Sequence, residues 1–497
     1  MQVRSLGRME FTKEETLQLF LPCKRGVIIN PKTAFMPKPL RLVLVVSILA
    51  SFVAFLDSSV VNVAIPAITR NLGGGLAAQQ WIMDAYLLTL GSLILIAGSL
   101  SDLFGRKKVL ALGLVGFLIT SILCGVATSA TFLIIARALQ GIAGALLVPS
   151  SLALIISAFP KESQGKAIGA WTAWTGISFV IGPLVGGFLV DAVSWRWVFL
   201  INVFPIAVTL ALLAFMKLDE TLPETTHVDF PGAIACAIGL GGIVYGFIEQ
   251  PALGWANSMV FVPLAIGTVA SIFFVWLEKK TAHPMLPLAL FKVRNFAFGN
   301  LATVAIYAGL SVATFTLTLF LQLAAKFSAL AAGMSLLPIT LIMFALSSKF
   351  GALAGKYGPR ILMTTGPIVS ACGFLLFFSI HDPVAYWTEL FPGIVVFGVG
   401  LSMTVAPLTT AVLGSIDSAN AGVASAINNA VARIAGLLAI ALIGLAVGAQ
   451  AFTTGSMSTS IASFRNAVVV MAALLALGGA ISAIGIRKAV VSVEMKK

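Results

Sequence analysis

The chain has 497 residues, of which 59% are hydrophobic and only 10% charged, with a mean hydropathy of +1.04 and a formal charge of +13. Soluble domains carry about 25% charged residues, so this composition excludes a soluble globular protein and leaves no room for a large soluble domain. In a soluble chain the positive charge would suggest nucleic acid. Here the basic residues fall in alternate loops, the way Lys and Arg distribute across a membrane, and no nucleic-acid partner is expected.

Residues 1–40 are polar and charged and read as a cytosolic tail without a cleavable signal, because the first apolar run is long enough to span and stay. A spanning helix needs about 20 apolar residues. Fourteen runs qualify: 41–66, 80–100, 108–127, 131–156, 165–190, 197–216, 230–249, 258–277, 297–322, 331–350, 361–380, 388–412, 421–448 and 467–487. An even number puts both termini on one side. With the termini inside, 25 of the 31 Lys and Arg fall in inner segments and only Arg70, Arg196, Lys326 and Arg465 in outer loops. Both ends are therefore expected in the cytosol of a multi-pass plasma-membrane protein. Arg137 and Arg433 remain inside helices.

An internal repeat sets the domain organisation. GSLSDLFGRKKVL (98–110), between helices 2 and 3, recurs as GALAGKYGPRILM (351–363), between helices 10 and 11. Gly98, Leu100, Phe104 and Gly105 become Gly351, Leu353, Tyr357 and Gly358, while Asp102 becomes Gly355. The fold class is thus an all-α membrane protein of parallel six-helix halves, a transporter signature. The division is a tail (1–40), a first bundle (41–216), a linker with two extra helices (217–296), a second bundle (297–487) and a tail (488–497).

Few motifs carry chemistry. GALAGKYG lacks the spacing and the Ser/Thr of a phosphate loop. G-x-S-x-G and H-E-x-x-H motifs are absent. His227, His283 and His381 fall in separate loops, and Cys23, Cys124, Cys236 and Cys372 show no CxxC spacing, so reduced thiols are expected. No enzyme, metal or cofactor is implied; any pumping must draw on an ion gradient.

The unusual residues are charges inside apolar runs. Asp57 lies roughly 24 Å along helix 1 from Arg41, where an ionised carboxylate costs roughly 2.5–3.5 kcal/mol or more. Asp84 falls just inside the start of helix 2, Arg137 about two turns into helix 4, and Arg433 past the middle of helix 13. All four fall at comparable depth, and Asp57, Asp84 and Arg137 are the candidate proton-coupling group. A buried structural Asp57–Arg137 pair is the plainer alternative.

In LSDLFGRKK, Asp102, Gly105 and Arg106 are candidate gating residues, with Asp102 placed to sit against a helix N-terminus. In GISFVIGPLVGG (176–187), Gly182, Gly186 and Gly187 allow close helix approach and Pro183 bends the helix. Trp171 and Trp174 share a helix face and could stack on a flat cation, although packing is the commoner use. Asn62, Gln140, Asn428, Asn429 and Arg433 complete the candidate substrate pocket.

Together these stretches resemble the major facilitator superfamily, specifically its fourteen-helix drug:proton antiporters of the EmrB/QacA type. GSLSDLFGRKK is similar to the loop 2–3 signature, LDSSVVNVAIP to the helix 1 signature, RALQGIAGA (137–145) to the helix 4 motif and GPLVGG to the core of the helix 5 antiporter motif. The resemblance covers residues 41–490. It implies two bundles with alternating access, proton exchange at Asp57 assisted by Arg137, and a cytoplasmic latch at Asp102 and Arg106. It also implies an exporter of lipophilic small molecules, often cationic, driven by protons and acting as a monomer. One departure bears on substrate: helices 9–14 carry no acid of the kind some members use for divalent cations. A dedicated exporter of one metabolite, antibiotic or siderophore would share every motif. A membrane receptor or enzyme is the remote alternative.

Overall fold

A computed structural model describes residues 38–216, 228–282, 284–416, 421–448, 452 and 457–487. The expectations on most of the N-terminal tail, on the C-terminal tail, on residues 217–227 of the linker, and on Cys23, His227 and His283 lie outside the described residues.

Among the described residues, fourteen helices are long and apolar enough to cross a membrane. They are α1 (Pro39–Leu72), α2 (Leu76–Phe104), α3 (Arg106–Gly125), α4 (Ala130–Ala158), α5 (Ser163–Ala192), α6 (Trp197–Phe215) and α7 (Phe230–Leu253). Then follow α8 (Ser258–Lys280), α9 (Arg294–Ala324), α10 (Ala329–Tyr357), α11 (Arg360–Ser379), α12 (Tyr386–Leu413), α13 (Val423–Val447) and α14 (Met457–Gly485). Each expected span has its helix. Several helices run past the apolar run that predicted them, because helical hydrogen bonding continues through polar ends such as Thr69–Asn71 and Gln79–Gln80. One consequence is a correction: Asp84 lies two turns inside α2, not just inside its start.

Helices α1–α6 and α9–α14 form the two six-helix bundles. In the first, α1 packs on α5 and α4 on both α2 and α3; in the second, α9 and α11 pack on α14 and α12 on α10 and α11. The repeat is preserved in backbone geometry. Gly105 (φ 95°) and Gly358 (φ 92°) hold the same left-handed turn in the two halves, a conformation open to glycine at no steric cost. The inserted helices α7 and α8 pack on each other, and α7 also meets α2 and α13. The side of α8 that carries Phe261, Ile266, Val269, Ile272 and Phe273 is exposed, the surface a lipid-facing helix requires.

The halves meet mainly at the end opposite the Gly105 and Gly358 turns, here termed the far end. There Asn62 Nδ2 of α1 donates to Thr314 O of α9 (3.2 Å), Gln322 Nε2 of α9 to Val63 O (2.9 Å), and Gln80 Nε2 of α2 to Ile440 O of α13 (2.5 Å). A Cβ at Gly187 of α5 would lie 2.6 Å from Leu330 Cα of α10, and one at Gly333 of α10 would strike Pro183 O. Asp191 accepts the backbone N–H groups of Ala329 (3.1 Å) and Leu330 (2.8 Å), closing the start of α10. Toward the turn end the seam opens: Gly98, Gly165, Gly169, Gly176 and Gly355 have no neighbour where a Cβ would stand. Phe344, on the same face of α10 as Gly333, is 79% exposed there. The molecule is sealed at the far end and splayed at the turn end.

Candidate functional site

A completely buried polar cluster joins five helices of the first bundle. Arg137 Nη1 donates to Asp57 Oδ2 at 2.6 Å and to Gln140 Oε1 at 2.7 Å, and Arg137 Nε donates to Ile82 O at 3.1 Å. Gln140 Nε2 (3.0 Å) and Asn202 Nδ2 (2.9 Å) both donate to Asp57 Oδ1. Ser121 accepts from both amides, at 3.0 and 3.4 Å. Asp57, Ser121, Arg137, Gln140 and Asn202 are all completely buried.

Electrostatically this is a neutral ion pair with balanced support. Three donors hold the Asp57 carboxylate, so its charge is stabilised without water. The guanidinium has neutral partners too: Gln140 Oε1, Ile82 O and the Tyr86 ring, whose centroid is 4.3 Å from Arg137 Cζ. Those partners hold the arginine independently of Asp57.

The expected residues separate into groups. Asp57 and Arg137 meet, as the sequence suggested. Asp84 stands apart: it is fully buried, and neither carboxylate oxygen has a hydrogen-bond partner among the described residues. Its place follows from α2. Gln80 and Gly91, on the same helix face as Asp84, both meet α13, at Ile440 O and at Ile434. Asp84 thus lies on the face that joins the first bundle to the second.

Gln140 is completely buried in the Asp57 cluster, three residues from Arg137 on one helix face. Asn428 donates to Asn300 (3.0 Å) and Thr303 (2.9 Å) of α9, inside the second bundle. Trp171 Nε1 donates to Ser51 (3.1 Å) and so anchors α5 to α1, whereas Trp174 is open. Asn62, Asn429 and Arg433 keep exposed surface along the seam. Cys124, an unanticipated member, contacts Gln140 Oε1 through Sγ at 3.6 Å.

The gating glycines divide between two seams. Gly182 abuts Ser59 and a Cβ at Gly186 would lie 3.1 Å from the Val60 backbone, both on α1, while Gly187 and Pro183 meet α10. At the turn end, Arg106 pairs with Asp102 at 3.0 Å, four residues earlier in the chain across the Gly105 turn. Arg106 is the first residue of α3, so Asp102 stands at that helix's N-terminus and is held there by the Arg106 side chain. Neither residue has a hydrogen bond or ion pair to the second bundle among the described residues.

Two pseudo-equivalent bundles around a seam sealed at one end, with a buried ion pair beside that seam, define a membrane transporter of the alternating-access class. Residues 47–440 match the family described as the Major Facilitator Superfamily, and the chain belongs to that family. Among its relatives, the puromycin resistance protein pur8 of Streptomyces alboniger is 33% identical over 86% of each chain. The multidrug resistance protein Stp of Mycobacterium tuberculosis (strain ATCC 25618 / H37Rv) is 32% identical over 82% of this chain and 76% of its own. The methylenomycin A resistance protein of Bacillus subtilis (strain 168) is also 32% identical, over 82% of this chain and 87% of its own. In fold, the chain resembles a D-xylose–proton symporter (TM-score 0.65, 15% identity, 91% of this chain and 99% of the other).

Proposed function

We propose that this protein is a proton-coupled exporter of amphipathic small molecules, seated in the inner membrane with both termini in the cytosol. The excess of Lys and Arg at the turn end makes that end cytosolic, so the structure is the inward-open state. The observation that carries the reading is the completely buried Asp57–Arg137 pair, held by neutral amides inside the first bundle and within two turns of the α1 contacts to α9.

The cycle follows from placement. Asp57, Ser59, Val60, Asn62 and Val63 lie within two turns of α1, and they touch Arg137, Gly182, Gly186, Thr314 and Gln322 in turn. A change of charge at Asp57 alters its hold on Arg137 and hence the packing of α1. That same stretch of α1 carries the α5 seam and the contacts to α9. One inward proton moving down 100 mV contributes roughly 2.3 kcal/mol, enough to drive a substantial outward substrate gradient. The names of the drug-resistance relatives support export of small molecules; a dedicated exporter of one such compound is the second reading.

The test uses inverted vesicles energised to an acid interior and a pH-reporting dye. Addition of a substrate of this exporter releases protons and dissipates the gradient in vesicles containing the protein and not in empty ones. A wide screen of lipophilic drugs that leaves the gradient untouched, with correctly inserted protein, would sink the multidrug reading.

A further inference from the structure

Arg433 of α13 is a cation inside a membrane-spanning helix with no ion pair among the described residues. Its guanidinium carbon lies 5.4 Å from the ring centroid of Phe55, across the seam on α1. Arg433, Phe55 and Tyr307 of α9 are each half-buried, at the roof of the splayed region. The polar neighbours along this seam are neutral: Asn62, Ser311, Thr314 and Asn429 all keep exposed surface. The carboxylates at this depth are unavailable. Asp57 is saturated by Arg137, Gln140 and Asn202, and both Asp57 and Asp84 are completely buried.

An unneutralised guanidinium within a bilayer is costly and usually marks an ion or substrate path. Its fork of donors matches a carboxylate or phenolate oxygen, and the Phe55 and Tyr307 rings beside it suit a flat apolar body. We propose that Arg433 binds an acidic oxygen of the exported molecule, so that the pocket selects amphipathic aromatic anions over cations. This rests on the exporter reading and departs from the cationic preference that the family resemblance implies. The absence of an exposed acid at this depth, among the described residues, points the same way. An anion leaving a cell that is negative inside moves with the membrane potential, so one proton suffices as the coupling ion.

The test is binding of fluorescein, an anion at neutral pH, and of rhodamine 123, a cation on the same xanthene skeleton. Binding is read by fluorescence polarisation on the purified full chain without any gradient. Wild type is expected to bind fluorescein at least tenfold more tightly than rhodamine 123. Arg433→Gln should lose about ten- to a hundredfold in fluorescein affinity, the worth of a hydrogen bond to a charged group, while Arg433→Lys should keep the order of preference. Thermal unfolding of each variant establishes that it is folded. Tighter binding of the cation by wild type, binding of neither dye, or an unchanged preference in folded Arg433→Gln each overturns the proposal. Because binding needs no gradient, a failure of proton coupling leaves this result unaffected, and the two readings fail separately.

Discussion

Gly182 of α5 lies directly against Ser59 of α1, two residues past Asp57, with no room for a methyl group between them. The close approach puts the seam between these helices next to the carboxyl proposed to exchange the proton. Gly182→Ala and Gly186→Ala must therefore push α5 off α1. We expect each to insert normally and to lower gradient-driven transport by about an order of magnitude, since near-ångström misplacement carries penalties of that size or more. Initial transport rates normalised to membrane-inserted protein check this.

The far-end seal has its own polar fastener. Asp191 accepts two backbone N–H groups at the start of α10, an N-cap supplied across the seam. Asp191→Ala should cost the sealed state about 1 kcal/mol and shift the population towards the outward-open form roughly fivefold. Distances between spin labels on the far ends of α5 and α10 would report the shift; an unchanged distribution would count against the seal.

Much of this architecture was legible in the sequence, and the failures have physical reasons. Fourteen apolar runs, the basic-loop asymmetry and the two glycine turns come directly from bilayer thickness, charge and backbone freedom. Asp57 and Arg137 stood out because charges inside apolar runs are expensive. Asn202 and Ser121 did not, because single neutral polar residues are common in spanning helices; Asn202 within WVFLINVFP was the stronger signal of the two. Gln140 carried a readable signal in its three-residue spacing from Arg137. Which helix Asp84 would face was not readable, since a span gives its periodicity but not the neighbour each face will meet.

Arg137 tests the energetics of the buried pair. Arg137→Ala leaves Asp57 without its counter-charge, and breaking a buried pair in this way costs about 3–5 kcal/mol. The expected result is a large fall in thermal stability in detergent. Asp57→Asn with Arg137 intact should fall less, because the guanidinium keeps Gln140 and Ile82 O.

A second acidic contact sits at the turn end of the inserted helices. Asp229 Oδ2 and Glu278 Oε1 are both buried without hydrogen-bond partners and would lie 2.5 and 2.8 Å from a Cβ on Gly232, so they converge on one point. Glu278→Gln replaces facing acceptors with a donor and an acceptor, while its remaining oxygen can still accept from Leu286 N. Stability should rise by about 0.5–1.5 kcal/mol, the worth of one net hydrogen bond. A drop in the unfolding midpoint would contradict that geometry.

The central claim is that Asp57 couples protons to substrate without being needed for the substrate path itself. In proteoliposomes, wild type and Asp57→Asn are compared for pH-gradient-driven accumulation and for substrate exchange at equal pH on both sides. The account predicts that Asp57→Asn loses gradient-driven accumulation and retains exchange. Accumulation at the wild-type level in a properly inserted Asp57→Asn protein would contradict it.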